Sequence, residues 1–186
     1  MTLVLASASP RRRELLARVV DDFLIVPSRC DEPSDGPPRE RVVRAASAKV
    51  RDVAERRAGV IVGADTLVIV GEEVLGKPRS RDEARRMLEG LSGREHRVVT
   101  GVCVLSTWTG VEIQAVEETA VRFRDLELEE IERYVDTGEA DDKAGAYAIQ
   151  GRAAAFVDRI RGDFHNVMGL PLCRLVLMLR EVGVRV

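Results

Sequence analysis

The chain contains few of the residues that build metal centres, disulfides or aromatic platforms. Its 186 residues include three cysteines and two histidines, and aromatic residues make up 4%. Cys30, Cys103 and Cys173 form no C-x-x-C pair and, with the two histidines, no spacing typical of a zinc site. Their odd number and wide separation fit a reduced compartment, so we expect a cytoplasmic protein. The scarcity of aromatic residues argues against a surface that stacks on extended single-stranded nucleic acid.

Charge and hydropathy argue against two further classes of partner. The formal net charge is −2, which is unlike a general nucleic-acid-binding protein, so any phosphate chemistry must come from a local cluster of basic residues. No segment approaches the roughly 20 apolar residues of a membrane span. The N-terminus has no long apolar stretch behind a basic segment, so we expect no signal peptide. The length predicts one α/β domain over residues 1–186.

Short apolar segments alternate with segments of helical periodicity, which predicts an α/β fold. We expect strands at residues 3–5, 24–27, 60–70, 97–105, 111–124 and 154–160. We expect helices at residues 39–57, 80–93, 127–137 and 171–182, in addition to one that begins near residue 10. Because a tight turn joins the fourth and fifth strands, they are typical of an antiparallel hairpin. The sheet is therefore predicted to be mixed.

The helix near residue 10 begins with an unusual concentration of positive charge. Ser9 suits the N-cap and Pro10 suits the first helical position. Arg11, Arg12 and Arg13 then occupy the first turn, where the helix dipole favours acidic residues. A bound anion would remove this conflict, which points to an anion site. The alternative is a solvated basic turn whose arginine side chains extend into water.

An acidic residue interrupts the most apolar strand of the chain. Asp65 lies within residues 60–70, where an unpaired carboxylate would be costly to bury. Lys77, between a glycine and a proline, and Lys49, on the apolar face of the helix at 39–57, are the candidate cationic partners. Lys49 either extends along the edge of the core to solvent or points its ammonium into a cleft. Asp65 is thus either a structural carboxylate paired with a lysine or a catalytic acid. Glu32, in a polar loop, is the next acidic candidate, with plain solvation as its alternative.

A second polar segment covers residues 138–151 and ends in Tyr147-Ala148-Ile149-Gln150-Gly151. The side-chain amide of Gln150 can donate and accept at once, which suits the edge of a nucleotide base. The alternative is an irregular connection in which Gln150 caps backbone groups.

Several short motifs occur in a specific order along the chain. They are Ser-Ala-Ser-Pro-Arg-Arg at 7–12, Gly-Ala-Asp-Thr at 63–66, Gly-Lys-Pro at 76–78, Thr-Gly at 100–101, Asp-Lys-Ala-Gly-Ala-Tyr at 142–147, Ile-Gln-Gly at 149–151 and Gly-Leu-Pro at 169–171. With them the chain resembles the Maf family of nucleoside-triphosphate pyrophosphatases along essentially its whole length. The resemblance implies a mixed α/β fold in a single domain, with an elongated sheet flanked by helices and a cleft between two lobes, as in Maf and ITPase-like proteins.

The resemblance also implies an activity. Members hydrolyse a nucleoside triphosphate to the monophosphate and pyrophosphate with a divalent metal cation, here Mg²⁺ or Mn²⁺. The Ala-Tyr-Ala-Ile-Gln-Gly sequence at 146–151 is similar to the branch that prefers dTTP and UTP. Modified pyrimidine nucleotides are further candidate substrates, and such an activity would limit the incorporation of non-standard nucleotides. The expected partner is this small-molecule nucleotide, with no nucleic acid and no membrane.

Site residues carry over by position from the same resemblance. Asp65 matches the catalytic acid of the family, and Glu32 and Asp65 are the expected metal ligands. The residues expected to bind the substrate phosphates are Ser7, Arg11, Arg12, Lys49 and Lys77. The residues tied to base preference are Arg11, Thr66 and Gln150.

Two other functions stay open at this point. One is a pyrophosphatase for 7-methyl-GTP, although that branch usually has a different residue at the position of Gln150. The other is a nucleotide-binding regulator of septum formation without turnover, because the family's name comes from inhibition of septation. The joint presence of Asp65, Lys49 and Lys77 favours hydrolysis, since a pure sensor has no need of the acid. The sequence leaves the oligomeric state open, with a homodimer as one candidate.

Overall fold

In the computed structural model, which describes residues 2–186, seven strands form one mixed sheet in the order β2-β1-β3-β5-β6-β7, with β4 paired to β3. The strands are β1 (Leu3–Leu5), β2 (Leu24–Ile25), β3 (Val60–Val70), β4 (Glu73–Leu75), β5 (Glu95–Ser106), β6 (Glu112–Phe123) and β7 (Val157–Arg161). The helices are α1 (Pro10–Leu16), α2 (Pro38–Ala54), α3 (Arg81–Leu91), α4 (Leu128–Asp136), α5 (Phe164–Met168) and α6 (Leu172–Glu181). Two 3₁₀ helices cover Ala144–Ala146 and Arg152–Phe156.

Both strand directions occur in this sheet. Strand β1 pairs in parallel with β2 and with β3, placing Val4 opposite Ile61. The pairs β3–β4 and β6–β7 are antiparallel. Strands β5 and β6 are neighbours joined by a tight turn, in which the Gly110 amide donates to the Ser106 carbonyl at 2.8 Å. The predicted mixed α/β class and the hairpin are therefore confirmed.

The residues form two compact units. The first comprises residues 2–66, 100–117 and 169–186, and the second comprises residues 67–99 and 118–168. The expectation of one domain over residues 1–186 stays a prediction. No helix within residues 2–186 has both the length and the apolar composition needed to cross a bilayer.

In the first unit, helix α2 packs against the sheet at very short range. Apolar side chains of α2, among them Val50 and Val53, pack in one buried cluster with Val4 and Ile61. The approach depends on Gly63 in β3, because a Cβ there would lie 2.6 Å from Val50 Cγ2 and 2.7 Å from the Ala46 carbonyl oxygen. Gly101 in β5 has a similar role against the Val42 backbone. The space beside Gly63, two residues before Asp65, is thus filled by α2.

The core of the second unit is aromatic. The rings of His96, Phe123, Tyr134, Tyr147 and Phe156 meet edge to face, with centroids 4.9 to 6.0 Å apart. His96 Nε2 lies 2.8 Å from the Tyr147 hydroxyl, and both residues are buried. Burial lowers the pKa of His96 to about 4 and raises the pKa of Tyr147. This hydrogen bond therefore joins two neutral side chains at pH 7.

Three local expectations need correction. The strand expected at 154–160 begins only at Val157, because the residues before it form the 3₁₀ helix Arg152–Phe156. The strand expected at 24–27 is reduced to two residues. The helix α5 was not expected, although Asp163 signals it by accepting hydrogen bonds from the backbone amides of His165 at 2.7 Å and Asn166 at 3.3 Å. A five-residue helix is too short for its periodicity to be seen.

We expect acid to destabilise the protein partly through His96. Its pKa is about 4 in the folded state against about 6.5 in an unfolded chain, so the unfolded state binds more protons between these values. The free energy of unfolding therefore falls as the pH is lowered from 7 to 4, by about 3 kcal/mol from this residue alone. The measurement is urea denaturation at several pH values for wild type and His96→Gln, which cannot titrate. Parallel pH dependences of the two proteins would contradict the prediction.

Candidate functional site

The N-terminus of α1 has the local structure that its sequence predicts. Pro10 is the first helical residue and Ser9 is the N-cap, whose hydroxyl accepts from the Arg12 amide at 3.4 Å. The hydroxyl of Ser7, a buried residue, in turn accepts from the Ser9 amide at 3.2 Å. These bonds fix the turn that leads from β1 into the helix, and with it the point from which the arginine side chains leave the backbone.

The Arg12 side chain points into the first unit, where its guanidinium contacts Gly169 and Thr66. Its Nε donates to the Gly169 carbonyl at 2.9 Å and its Nη2 donates to Thr66 Oγ1 at 3.0 Å. Burial lowers the pKa of Arg12, while the nearby Asp65 carboxylate opposes this shift and Arg11 adds to it. The alternative prediction, a basic turn whose arginine side chains extend into water, is therefore wrong for Arg12. Arg13 in the same turn is exposed.

Lys49, Asp65 and Glu32 form a charge cluster in the same unit, in which Lys49 and Asp65 are buried. The Lys49 ammonium lies 2.7 Å from Asp65 Oδ1 and 2.9 Å from Glu32 Oε1. It also lies 3.4 Å from the Ala64 carbonyl oxygen. The side chains of Lys49 and Asp65 are 7% and 12% exposed, so this pair is largely shielded from water, whereas Glu32 is 57% exposed. The ammonium therefore ends on carboxylates and does not extend to solvent.

This cluster fits both alternatives for Asp65. A buried lysine beside a carboxylate is a common structural pair, and the same contact would also hold a catalytic carboxylate in position. The two carboxylates contact one nitrogen atom, so their oxygens lie near each other. Mg²⁺ is commonly held by one or two carboxylates together with substrate phosphates and water, and Glu32 and Asp65 fit that type of site. Within residues 2–186 no group of three or more His, Cys, Asp or Glu side chains comes together as a metal site.

Two of the predicted site residues lie in the second unit. Lys77 follows β4 and is exposed, and the amide of Gly145 donates to the carbonyl of the neighbouring Gly76 at 3.0 Å. Gln150 is also exposed. This hydrogen bond brings the segment that carries Lys77 beside the segment that leads to Gln150.

The segment before Gln150 is anchored by side chains from β5 and α4. Ala146 has the left-handed backbone conformation, with φ of 60°, which is unfavourable for a residue with a Cβ. Tyr147 contacts His96, and the amide of Ala148 donates to the Tyr134 hydroxyl at 3.2 Å. These contacts hold the backbone while the side chain of Gln150 stays exposed.

The first unit holds seven of the nine predicted site residues: Ser7, Arg11, Arg12, Glu32, Lys49, Asp65 and Thr66. The structure joins Arg12 to Thr66, and Lys49 to both Glu32 and Asp65. Two participants were missed, namely Thr100, whose hydroxyl lies 3.0 Å from that of Thr66, and the carbonyl of Gly169. The sequence contains both as parts of motifs, but nothing local indicates which side chain each of them contacts.

Known proteins are similar to this chain over almost its full length. A family model described as Maf-like protein matches residues 2–182. A Thermococcus gammatolerans protein named dTTP/UTP pyrophosphatase is 51% identical over 184 residues, covering 99% of this chain and 98% of that protein. A Symbiobacterium thermophilum protein of the same name is 52% identical over 184 residues, covering 97% of this chain and 94% of that protein. The solved structure of the Staphylococcus aureus Ham1 protein has a TM-score of 0.58 at 14% identity, covers 98% of this chain and 100% of its own, and shows the fold alone.

We expect Lys49 to contribute more to stability than Asp65 does. Lys49→Met keeps the aliphatic stem but leaves Asp65 and Glu32 without their shared cation, which costs about 3–5 kcal/mol in the free energy of unfolding. Asp65→Asn leaves the ammonium paired with Glu32, so its cost is about 1 kcal/mol. Urea denaturation of both variants and of the double variant measures this, and the double variant should recover part of the Lys49→Met loss. A neutral Lys49→Met would contradict the buried ion pair.

Proposed function

This chain belongs to the Maf family, and we propose that it hydrolyses nucleoside triphosphates to the monophosphate and pyrophosphate, with dTTP and UTP as preferred substrates. The observation that carries the proposal is the charge cluster in which Asp65 lies 2.7 Å from Lys49 and near Arg12. Two relatives about half identical to this chain and named dTTP/UTP pyrophosphatase support the choice of substrate. An acid placed among cations suits an attack on a polyanion, where positioning and charge neutralisation matter most.

In the proposed reaction, water attacks the α-phosphorus. A bond forms between the water oxygen and the α-phosphorus, and the bond from that phosphorus to the oxygen bridging to the β-phosphate breaks, so pyrophosphate leaves with the bonding electrons. Asp65 orients the water and accepts its proton. Arg12 and Lys49, with Ser7 and Arg11, neutralise the triphosphate. The fixed turn around Ser9 supports these contacts by setting where the arginines leave the backbone.

A divalent cation, Mg²⁺ or Mn²⁺, belongs to the proposal. Glu32 and Asp65 would hold it together with substrate oxygens, and when bound it would neutralise charge on the phosphates. Lys49 contacts both carboxylates and would keep them close to each other before the nucleotide arrives.

We propose that Gln150 recognises the base. The Gln150 amide can meet the N3–H and O4 edge that uracil and thymine share, because it donates and accepts at once. Cytosine presents an amino group in place of O4, which would set donor against donor and cost about 1–3 kcal/mol. The roles of Lys77 on phosphate, and of Arg11 and Thr66 in base preference, rest on the resemblance and stay predictions. A cytoplasmic location and a homodimer also stay predictions.

We expect a nucleotide panel to show turnover that depends on Asp65. Wild type should release pyrophosphate from dTTP and UTP in the presence of Mg²⁺ or Mn²⁺, and lose this activity when the metal is chelated. Asp65→Asn should fold and bind nucleotide but lose about a hundredfold or more in kcat, as expected for removal of a general base. Asp136→Asn, which changes an exposed carboxylate paired with Arg81, is the matched control.

Three outcomes decide between the candidate functions. Binding of nucleotides by wild type without pyrophosphate release would support the regulator. Preference for 7-methyl-GTP would support the other branch. Normal turnover by folded Asp65→Asn would contradict the role of Asp65 as the base.

We expect Gln150→Glu to lower kcat/KM for dTTP and UTP by about ten- to a hundredfold, because it removes the donor and adds a charge at nearly the same volume. The loss for CTP should be smaller, so the UTP to CTP ratio of kcat/KM changes. Stability should change little, since Gln150 is exposed. Gln114→Glu makes the same chemical change at another exposed glutamine and is the control. An unchanged ranking of nucleotides in Gln150→Glu would rule out base reading by this residue.

A further inference from the structure

A pair of threonine hydroxyls lies behind Arg12 in the first unit. Thr66 in β3 and Thr100 in β5 place their Oγ1 atoms 3.0 Å apart. Thr100 is fully buried, and a buried hydroxyl is costly unless it is hydrogen-bonded. The contact with Thr66 is therefore one hydrogen bond that the Thr100 hydroxyl makes and that valine, of nearly the same shape, could not make.

The hydroxyl pair continues into the guanidinium of Arg12. Because a guanidinium only donates, Thr66 Oγ1 accepts the bond from Arg12 Nη2 at 3.0 Å. Thr66 is thus engaged on one side by a cation and on the other by Thr100. A charge-assisted bond of this kind is stronger and more directional than a bond between neutral groups.

These contacts determine which part of Arg12 can meet a ligand. Nε is held by the Gly169 carbonyl at 2.9 Å and Nη2 by Thr66, so the guanidinium plane is fixed at two nitrogens. Among the contacts of residues 2–186, Nη1 is the nitrogen of Arg12 without a protein acceptor. With the bond to Thr66 removed, the plane would be free to rotate about the remaining Nε contact.

We propose that the Thr66–Thr100 hydroxyl pair positions Arg12 for the polyphosphate part of the substrate, and that Thr66 acts through the arginine without contacting the base. The inference rests on the proposed function, because it takes Arg12 as a phosphate-binding residue. It differs from the base-preference role that the resemblance implies for Thr66. Thr100 is then a positioning residue that touches no substrate atom.

The test uses inorganic pyrophosphate, which carries the phosphates and no base. The variants are Thr66→Val and Thr100→Val, which remove one hydroxyl each, and Thr66→Ser and Thr100→Ser, which keep it. We expect the Kd of pyrophosphate, measured by calorimetry with Mg²⁺, to rise about tenfold in both valine variants. The reason is that loss of a hydrogen bond to a charged group changes an equilibrium constant about tenfold. KM for UTP and for CTP should rise by the same factor, with a smaller change in kcat. The serine variants should restore binding.

Controls separate this role from a structural one. Thr107→Val removes a threonine hydroxyl that bonds the Gly59 backbone in the same unit, so it should lower stability without changing the Kd of pyrophosphate. If Thr100→Val does not fold, Thr66→Val carries the test, because Thr66 is only partly buried.

Two results would overturn the inference. An unchanged Kd of pyrophosphate with a changed UTP to CTP ratio would place Thr66 on the base. A fall in stability alone, with pyrophosphate binding intact in both valine variants, would make the hydroxyl pair purely structural. Absence of nucleotide hydrolysis by wild type would instead overturn the proposed function, while calorimetry with pyrophosphate would still decide the role of the threonines.

Discussion

A lysine ammonium buried against a strand must be neutralised, and the first unit is arranged around this requirement. Lys49 leaves the apolar face of α2 and reaches Asp65 at 2.7 Å only because the helix lies almost in contact with β3. Gly63 permits this distance, since any Cβ there would overlap Val50 and the Ala46 carbonyl. Close packing, a buried cation and a buried acid are therefore consequences of one helix–strand contact.

The charges of this region balance in pairs. Lys49 and Arg12 supply positive charge, while Asp65 and Glu32 supply negative charge, and the burial of Lys49 and Asp65 weakens the screening of their charges by water. A triphosphate would add several negative charges to this balance. The proposed divalent cation would offset part of that addition, and Arg12 would offset another part without moving, because the Thr66 hydroxyl and the Gly169 carbonyl already hold it. Preorganised charge of this kind avoids reorganisation during the reaction.

The second unit exposes the side-chain amide of Gln150 on a backbone that contacts from its core hold in place. Ala146 adopts a left-handed conformation that an alanine rarely accepts, and the cost is offset by the hydrogen bonds of Tyr147 with His96 and of the Ala148 amide with Tyr134. The neutrality of His96 matters here, because a protonated imidazole in this aromatic core would disrupt the anchor. A backbone anchored in this way beneath the exposed Gln150 would suit the proposed selection among bases, since little ordering would be left for binding.

The sequence by itself determined the features that repeat over short distances. Apolar periodicity predicted the strand 60–70 and placed Lys49 on the buried face of its helix, and Ser9 predicted the start of α1, because these signals depend on neighbours within a few residues. Only the tertiary structure decided that Lys49 pairs with Asp65 and Glu32 rather than extending to solvent. It alone brought Arg12 to Thr66 and Gly169, which lie 54 and 157 residues away along the chain. Contacts between residues so far apart in the sequence depend on the strand order and on how closely the helices pack against the sheet. Local composition predicts neither.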